Sequence, residues 1–93
     1  MKKTISFNQS TRIENEPIIV YGASVYGELA YVALKQMGWR PDYYCDKSKH
    51  RKEYLGVKVI NPDKLEGFKE ANIIIASADF FSEIREMLMG GVL

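Results

Sequence analysis

The sequence is poor in the residues that build covalent links or metal sites. Its 93 residues include one cysteine, Cys45, and one histidine, His50. An internal disulfide needs two cysteines, so none can form, and a cysteine-based metal site is excluded as well. His50 has no partner ligands at a metal-binding spacing, so we expect no metal cofactor. A single free cysteine fits a reducing cytoplasm.

An excess of one charge sign and long apolar runs are also missing. Thirteen Lys and Arg residues face twelve Asp and Glu residues, which gives a net charge of +1. Proteins that bind nucleic acid or a membrane surface usually gather a basic excess on one face. The start of the chain has no signal-peptide core, and no run approaches the roughly 20 apolar residues of a membrane span. We therefore expect a cytoplasmic protein that binds neither nucleic acid nor membrane.

What is present is the pattern of a small folded domain. Hydrophobic residues make up 46% and charged residues 27% of the chain, which is ordinary for a globular protein. Residues 1–16 are polar and predict a lead-in or an edge strand around Ile5 and Phe7, and residues 17–93 form the domain. Predicted strands are 18–21, 42–46, 57–60 and 72–77. Predicted helices are 25–37, 62–68 and a third from about residue 80 to Gly90, and residues 46–56 are predicted to be a loop.

This alternation of strands and helices predicts an α/β fold. Strands that alternate with helices pair in parallel through right-handed crossovers. We expect a three-layer, Rossmann-like parallel sheet of about four strands with helices on both faces. In the first helix, the buried face is predicted from the apolar spacing. Its members are Val25, Leu29, Val32, Ala33 and Met37.

The GASVYG segment after the first strand is the strongest candidate for a binding site. Gly22 permits a tight turn, Gly27 permits close packing of helix on sheet, and Ser24 lies where the helix begins. Backbone amides at such a helix start attract phosphate groups. The spacing matches the dinucleotide fingerprint G-x-G-x-x-G except that Ser24 replaces the middle glycine. The alternative interpretation is a purely structural turn.

A second candidate group follows the next strand. Asp46 lies 24 positions after Gly22, close to the roughly 20 that separate the fingerprint from its ribose-binding acid. Its carboxylate could accept hydrogen bonds from a sugar diol, or it could simply cap the strand end. Five basic residues follow, which could reach a second phosphate or form a solvated loop. They are Lys47, Lys49, His50, Arg51 and Lys52.

Other chemistry is disfavoured by the sequence. Gly22 to Gly27 has P-loop glycine spacing, but Glu28-Leu29 replaces the Lys-Ser/Thr pair that a P-loop requires. No nucleophile, base and orienting group can be assembled, so we predict no catalytic residues in this chain. Cys45, inside an apolar strand, is interpreted as a small core residue.

The segments IIVYGASVYGELAYVALKQMGW, YYCDKS, GVKVINPDKL and NIIIAS, in this order, resemble a family of small Rossmann-like domains in bacterial surface-sugar pathways. The chain is most similar to the amino-terminal domain of sialic-acid and bacillosamine type sugar acetyltransferases. Related domains occur in sugar methyltransferases and nucleotide-sugar dehydratases. The resemblance covers residues 17–93 and implies a nucleotide-sugar or NAD(P) ligand and a place in polysaccharide biosynthesis.

The resemblance also implies which residues bind the ligand. Gly22, Ala23, Ser24 and Gly27 would form the phosphate turn, which also contains Tyr26. The other implied ligand-binding residues are Asp46, Lys47 and Ser77. Ser24 departs from the family pattern, in which glycine is common. The β-helix that carries the acetyl transfer in those enzymes has no counterpart here, so residues 17–93 are expected to be a fragment of a longer protein.

Three functional hypotheses remain open from the sequence. The first is a non-catalytic nucleotide-binding module from a sugar-modifying enzyme. The second is the cofactor half of an NAD(P)-dependent oxidoreductase or dehydratase. The third is a module that keeps the fold without a ligand and serves docking or homo-oligomerisation.

Overall fold

The computed structural model describes residues 2–4, 13–47 and 52–78, which form an α/β fold around one mixed sheet. The strands are β1 (Lys2–Thr4), β2 (Ile18–Tyr21), β3 (Tyr43–Cys45), β4 (Glu53–Tyr54), β5 (Val57–Ile60) and β6 (Ala71–Ile75). Val25–Gln36 form the helix α1, and Pro62–Gly67 form a 3₁₀ helix. The predicted strands at 18–21 and 57–60 are confirmed with their bounds.

The sheet has the order β1-β6-β2-β3-β5-β4. The neighbours from β1 to β5 pair in parallel, whereas β4 runs antiparallel to β5. The prediction was an all-parallel sheet of about four strands, whereas the described sheet has six strands and is mixed because β4 runs antiparallel. From β2 the chain adds β3 and then β5 on one side, and later returns with β6 on the other side. Ligands of open α/β sheets commonly bind where the strand order reverses in this way.

The antiparallel strand arises from a tight hairpin in the segment predicted to be a loop. β4 pairs with β5 so that Tyr54 lies opposite Val57, which leaves a two-residue turn. Both turn residues have positive φ, 52° at Leu55 and 76° at Gly56. Positive φ at both central residues defines a type I′ turn, whose usual sequence is Asn-Gly or Asp-Gly. Leu-Gly lacks that signal, which explains the error.

Helix α1 buries a face that matches the predicted one only in part. Val25 is 63% and Val32 49% exposed, although both were assigned to the buried stripe. The buried residues of α1 are Gly27, Ala30, Ala33 and Leu34. Small residues replace branched ones on this face because the helix start approaches the sheet closely. The stripe was wrong at these two valines, whereas Ala33 is buried as predicted, and Leu29 and Met37 are half-buried against the core.

The other end of α1 confirms the predicted cap. Gly38 has φ 81°, and its N–H donates to the carbonyl of Lys35 at 3.0 Å. The Trp39 N–H donates to the carbonyl of Leu34 at 2.9 Å, which completes the Schellman pattern of a helix end.

The sheet carries one apolar cluster on each face. Ile18, Val20, Tyr44 and Ile74 belong to the cluster beneath α1. The cluster on the opposite face is covered by Leu65 and Phe68, which the 3₁₀ helix and the residue after it provide, and its buried members are Ile19, Cys45, Ile60 and Ala71. The predicted burial of Cys45 is confirmed.

The start of the 3₁₀ helix also agrees with the sequence. Asn61 precedes it as the cap, and its side-chain oxygen accepts a hydrogen bond from the Asp63 N–H at 3.2 Å. Pro62 occupies the first position, where a missing N–H costs nothing.

A buried asparagine fixes the approach to β2. The Asn72 side chain on β6 is fully buried, accepts a hydrogen bond from the Ile13 N–H and donates to the carbonyls of Ile13 and Glu16. Every polar atom of this side chain therefore has a partner, as burial requires. The turn at 13–16 is held at the amino-terminal edge of the sheet, opposite to the edge where GASVYG lies.

Several predictions fall on residues outside the described ranges. They include the third helix from residue 80, the alternation at Ile5 and Phe7, and the basic positions 49–51. An edge strand does occur near the amino terminus, as β1, but earlier than that alternation. Within the described ranges, no helix is long and apolar enough to cross a membrane.

Candidate phosphate site at the carboxyl edge of the sheet

The candidate site lies where β2, β3 and β6 end. The turn from Gly22 to Ser24 follows β2, Asp46 follows β3, and Ala76-Ser77 follow β6. Hydrogen bonds hold these three ends together, since the Gly22 N–H donates to the Cys45 carbonyl at 2.8 Å and the Ala76 N–H to the Tyr21 carbonyl at 2.9 Å. The predicted site residues are thus brought to one edge.

Two glycines permit the sharp turn from β2 into α1. Gly22 has φ 122°, a conformation that side chains strongly disfavour, and a Cβ there would lie 3.1 Å from the Ala76 carbonyl oxygen. A Cβ on Gly27 would lie 2.1 Å from the Gly22 carbonyl oxygen and 3.1 Å from the Tyr44 ring. The helix therefore starts in direct contact with the turn after β2 and with β3, which agrees with the close packing predicted for Gly27.

Several backbone N–H groups at the start of α1 have no acceptor among the described residues. Ser24 is the N-cap, with extended backbone (φ −144°, ψ −166°) and no capping hydrogen bond from its side chain. Within the part of the chain that the structure describes, the N–H groups of Ser24, Val25 and Gly27 make no hydrogen bond. Ser24 and Val25 are exposed. These donors and the helix dipole together favour an anion here.

Asp46 is bound to the turn itself. Its Oδ2 accepts a hydrogen bond from the Ala23 N–H at 2.9 Å, while the Asp46 N–H donates to the Ile60 carbonyl at 3.0 Å. The carboxylate thus ties the ends of β2 and β3, which matches the alternative of a strand-end cap. It also removes the Ala23 amide from the donors that a phosphate could use.

Two tyrosine hydroxyls donate hydrogen bonds to carbonyl groups at the start of α1. The Tyr44 hydroxyl, buried under the helix, donates to the Gly27 carbonyl at 2.7 Å. The Tyr54 hydroxyl, on the hairpin, donates to the Ser24 carbonyl at 2.9 Å. Neither hydroxyl bond was predicted from the sequence, and Tyr54 was missed because the hairpin that carries it was predicted to be a loop.

Burial sets the ionisation of the groups beneath the site. Burial, and then the neighbouring Tyr54, raise the pKa of Tyr44 well above its ordinary value. Burial, followed by the charge of Asp46, raises the pKa of the Cys45 thiol to about 11. Tyr44 therefore stays a hydrogen-bond donor, and Cys45 stays an unreactive thiol at neutral pH.

The remaining predicted residues lie at the margin of the site. Tyr26 is half-buried in the first turn of α1, Ser77 is half-buried after β6, and Lys47 is exposed. Lys52, the described end of the basic run, is also exposed.

The site is suited to binding without covalent chemistry. It combines amide donors and a helix dipole with one carboxylate that is already engaged. Among the described residues, no group of three histidine, cysteine or acidic side chains could hold a metal ion. The arrangement can hold an anion and orient what is attached to it.

Comparison with protein-family models, with curated proteins and with solved structures found no match to this chain.

Proposed function

We propose that this chain is a nucleotide-binding domain that holds a ligand phosphate at the amino end of α1. The observation that carries the proposal is that Ser24 and Val25 are exposed residues whose N–H groups make no hydrogen bond with any described residue. A phosphate placed there gains charge-assisted hydrogen bonds and the helix dipole, and no described residue would have to give up a hydrogen bond to these N–H groups.

Gly27 strengthens the argument. It is buried, yet its N–H makes no hydrogen bond with any residue in the described ranges. Buried backbone donors without a partner are rare and call for an external acceptor such as a ligand oxygen or water. A phosphate oxygen at the helix start would supply that acceptor.

In this proposal the fold is Rossmann-like and has three layers. α1 on one face and the 3₁₀ helix on the other support the layered arrangement. The reversal of strand order at β2 supports a ligand at the carboxyl edge. By the sequence resemblance, the parent protein modifies sugars in bacterial polysaccharide biosynthesis in the cytoplasm, and this domain holds its nucleotide sugar.

The same turn would also serve the alternative ligand, NAD(P). In either case, the bond between Asp46 and Ala23 indicates that Asp46 acts first by shaping the turn. Titration with UDP-sugars, NAD and NADP ranks these ligands, and pyrophosphate serves as the minimal phosphate probe.

A pair of variants at Ser24 tests the site while keeping the fold. Ser24→Asp places a negative charge at the helix start, which favours the helix but repels a phosphate. Ser24→Asn is the matched neutral control of the same size. We expect binding in the wild type and in Ser24→Asn, and at least a tenfold loss in Ser24→Asp.

Isothermal calorimetry and thermal shift provide the readouts. Equal affinity of Ser24→Asp and Ser24→Asn for every phosphate ligand would place the ligand elsewhere. Absence of binding by the wild type to all of these ligands would leave the α/β scaffold without this function.

A further inference from the structure

A second concave surface lies away from the α1 turn, on the sheet face that carries the 3₁₀ helix. This sheet-face groove is open to one side and has a volume of about 500 Å³, within the usual range for small-molecule sites. We define it by Tyr43 on β3, Lys58 on β5, Asn61 and Lys64 at the 3₁₀ helix, and Phe68 after that helix. None of these residues belongs to the proposed phosphate site.

An aromatic pair forms one wall of the groove. The rings of Tyr43 and Phe68 meet edge to face, with centroids 5.3 Å apart and an interplanar angle of 63°. Both residues are half-buried, so part of each ring faces the groove rather than the core. A planar apolar group can pack against such a wall.

Among the residues that the structure describes, Lys58 and Lys64 are the charged residues that line the groove. Glu53 lies opposite Lys58 in the β4–β5 pair but does not line the groove. Both lysines are exposed, and among the described residues neither has a carboxylate within 4.0 Å. Two ammonium groups without protein partners favour a ligand with two negative charges, such as a phosphate monoester near neutral pH.

Asn61 adds a neutral donor of fixed orientation. Its Oδ1 accepts the Asp63 N–H at 3.2 Å, which fixes the side-chain amide at the cap of the 3₁₀ helix. In the described part of the chain its Nδ2 makes no hydrogen bond. The groove thus offers three donor groups beside an aromatic wall.

From this combination we propose that the sheet-face groove binds a small aromatic phosphate, with the ring against Tyr43 and Phe68 and the phosphate between Lys58 and Lys64. Neither the lysine pair nor the aromatic wall suffices alone. Exposed lysines bind simple anions weakly, and a ring without a phosphate gains little binding free energy from a half-open wall. The inference does not depend on the function proposed for the α1 turn.

The test uses the intact ¹⁵N-labelled chain and phenyl phosphate as the probe. We expect its addition to move the amide signals of residues 58–68. Inorganic phosphate and benzyl alcohol, which carry only one of the two features, should move them far less. The double variant Lys58→Gln/Lys64→Gln should bind phenyl phosphate about tenfold more weakly.

Two controls separate this site from others. Lys35→Gln/Arg40→Gln removes the same charge from exposed residues at the end of α1, and should bind phenyl phosphate like the wild type. Ser24→Asp should leave the signal changes at 58–68 intact, which separates the groove from the α1 turn. The proposal is overturned if phenyl phosphate leaves residues 58–68 unmoved, or if the Lys58/Lys64 variant and the control variant bind equally.

Discussion

Tyr44 and Tyr54 meet edge to face, with ring centroids 5.0 Å apart and ring planes at 89°. Each hydroxyl donates to a carbonyl of the first turn of α1, from Tyr44 to Gly27 and from Tyr54 to Ser24. The pair joins the centre of the sheet, the hairpin and the start of the helix. The position of the candidate site therefore depends on two side chains outside the glycine turn.

Removal of the two hydroxyls should have unequal effects. Tyr44→Phe removes a buried hydrogen bond and should lower the free energy of unfolding by about 1–2 kcal/mol. Tyr54→Phe removes an exposed bond and should cost about 0.5 kcal/mol or less. Urea denaturation of both variants measures the difference. Equal losses would show that burial of the Tyr44 hydroxyl does not determine its contribution.

Leu55 should be replaceable with a gain in stability. It holds φ 52° and is 42% exposed, so its backbone is strained while its side chain gains little from burial. Asparagine adopts this conformation more readily, and Leu55→Asn should raise the free energy of unfolding by about 1 kcal/mol. Leu55→Ala is the control, because it shortens the side chain without relieving the backbone. A thermal melt in which both variants lose stability would assign the leucine a packing role instead.

Two aspartates bracket β3 and allow a matched comparison. Asp42 Oδ2 accepts the Ile18 N–H at 2.7 Å at the amino end of β2, and Asp46 Oδ2 accepts the Ala23 N–H at 2.9 Å at its carboxyl end. Substitution of either by alanine should cost about 1–3 kcal/mol of stability, since each bond involves a charged acceptor. Only Asp46→Ala should also weaken phosphate binding, measured by calorimetry. Equal binding by the two variants would separate Asp46 from the site.

The thiol of Cys45 should make stability fall at alkaline pH. Its pKa is raised from 9.0 to about 11 in the folded protein. Above pH 9 the unfolded chain loses the thiol proton while the folded chain keeps it, so the unfolded state is favoured progressively up to about pH 11. Tyr44 acts in the same direction at higher pH, because its pKa is also raised.

The variant Cys45→Ala isolates the contribution of the thiol. We measure the free energy of unfolding by urea denaturation from pH 8 to 11 in both proteins. The wild type should lose more stability across this window than Cys45→Ala. Parallel curves for the two proteins would contradict the raised pKa of Cys45.

Much of the fold was predictable where local chemistry and tertiary packing agree. A continuous apolar run predicted β2, the strand composition of VKVI predicted β5, and the Gly38 and Asn61 caps predicted helix boundaries. The hairpin was not predictable, because Leu55 occupies a position where the usual turn residues would have signalled it. The buried face of α1 was predicted at Ala33 but missed at Ala30 and Leu34.

The position of the candidate site was predictable from the sequence, but the hydrogen bonds that hold it together were not. The glycine spacing predicted the turn and its position at the strand ends. The bond from Ala23 to Asp46 and the two tyrosine bonds join residues 17 to 30 positions apart. Such pairings follow from the register of β3 and β5, which sequence patterns do not specify.

The contact between Gly27 and the Gly22 carbonyl limits how this domain can be re-engineered toward new ligands. In a library that randomised residues 22–27, most variants would carry a side chain at Gly22 or Gly27, and the start of α1 could not pack against the turn. Diversity is better placed at Ser24, Val25 and Tyr26, with both glycines held constant. The side chains at the start of α1 can then be changed while the backbone conformation of the turn is preserved.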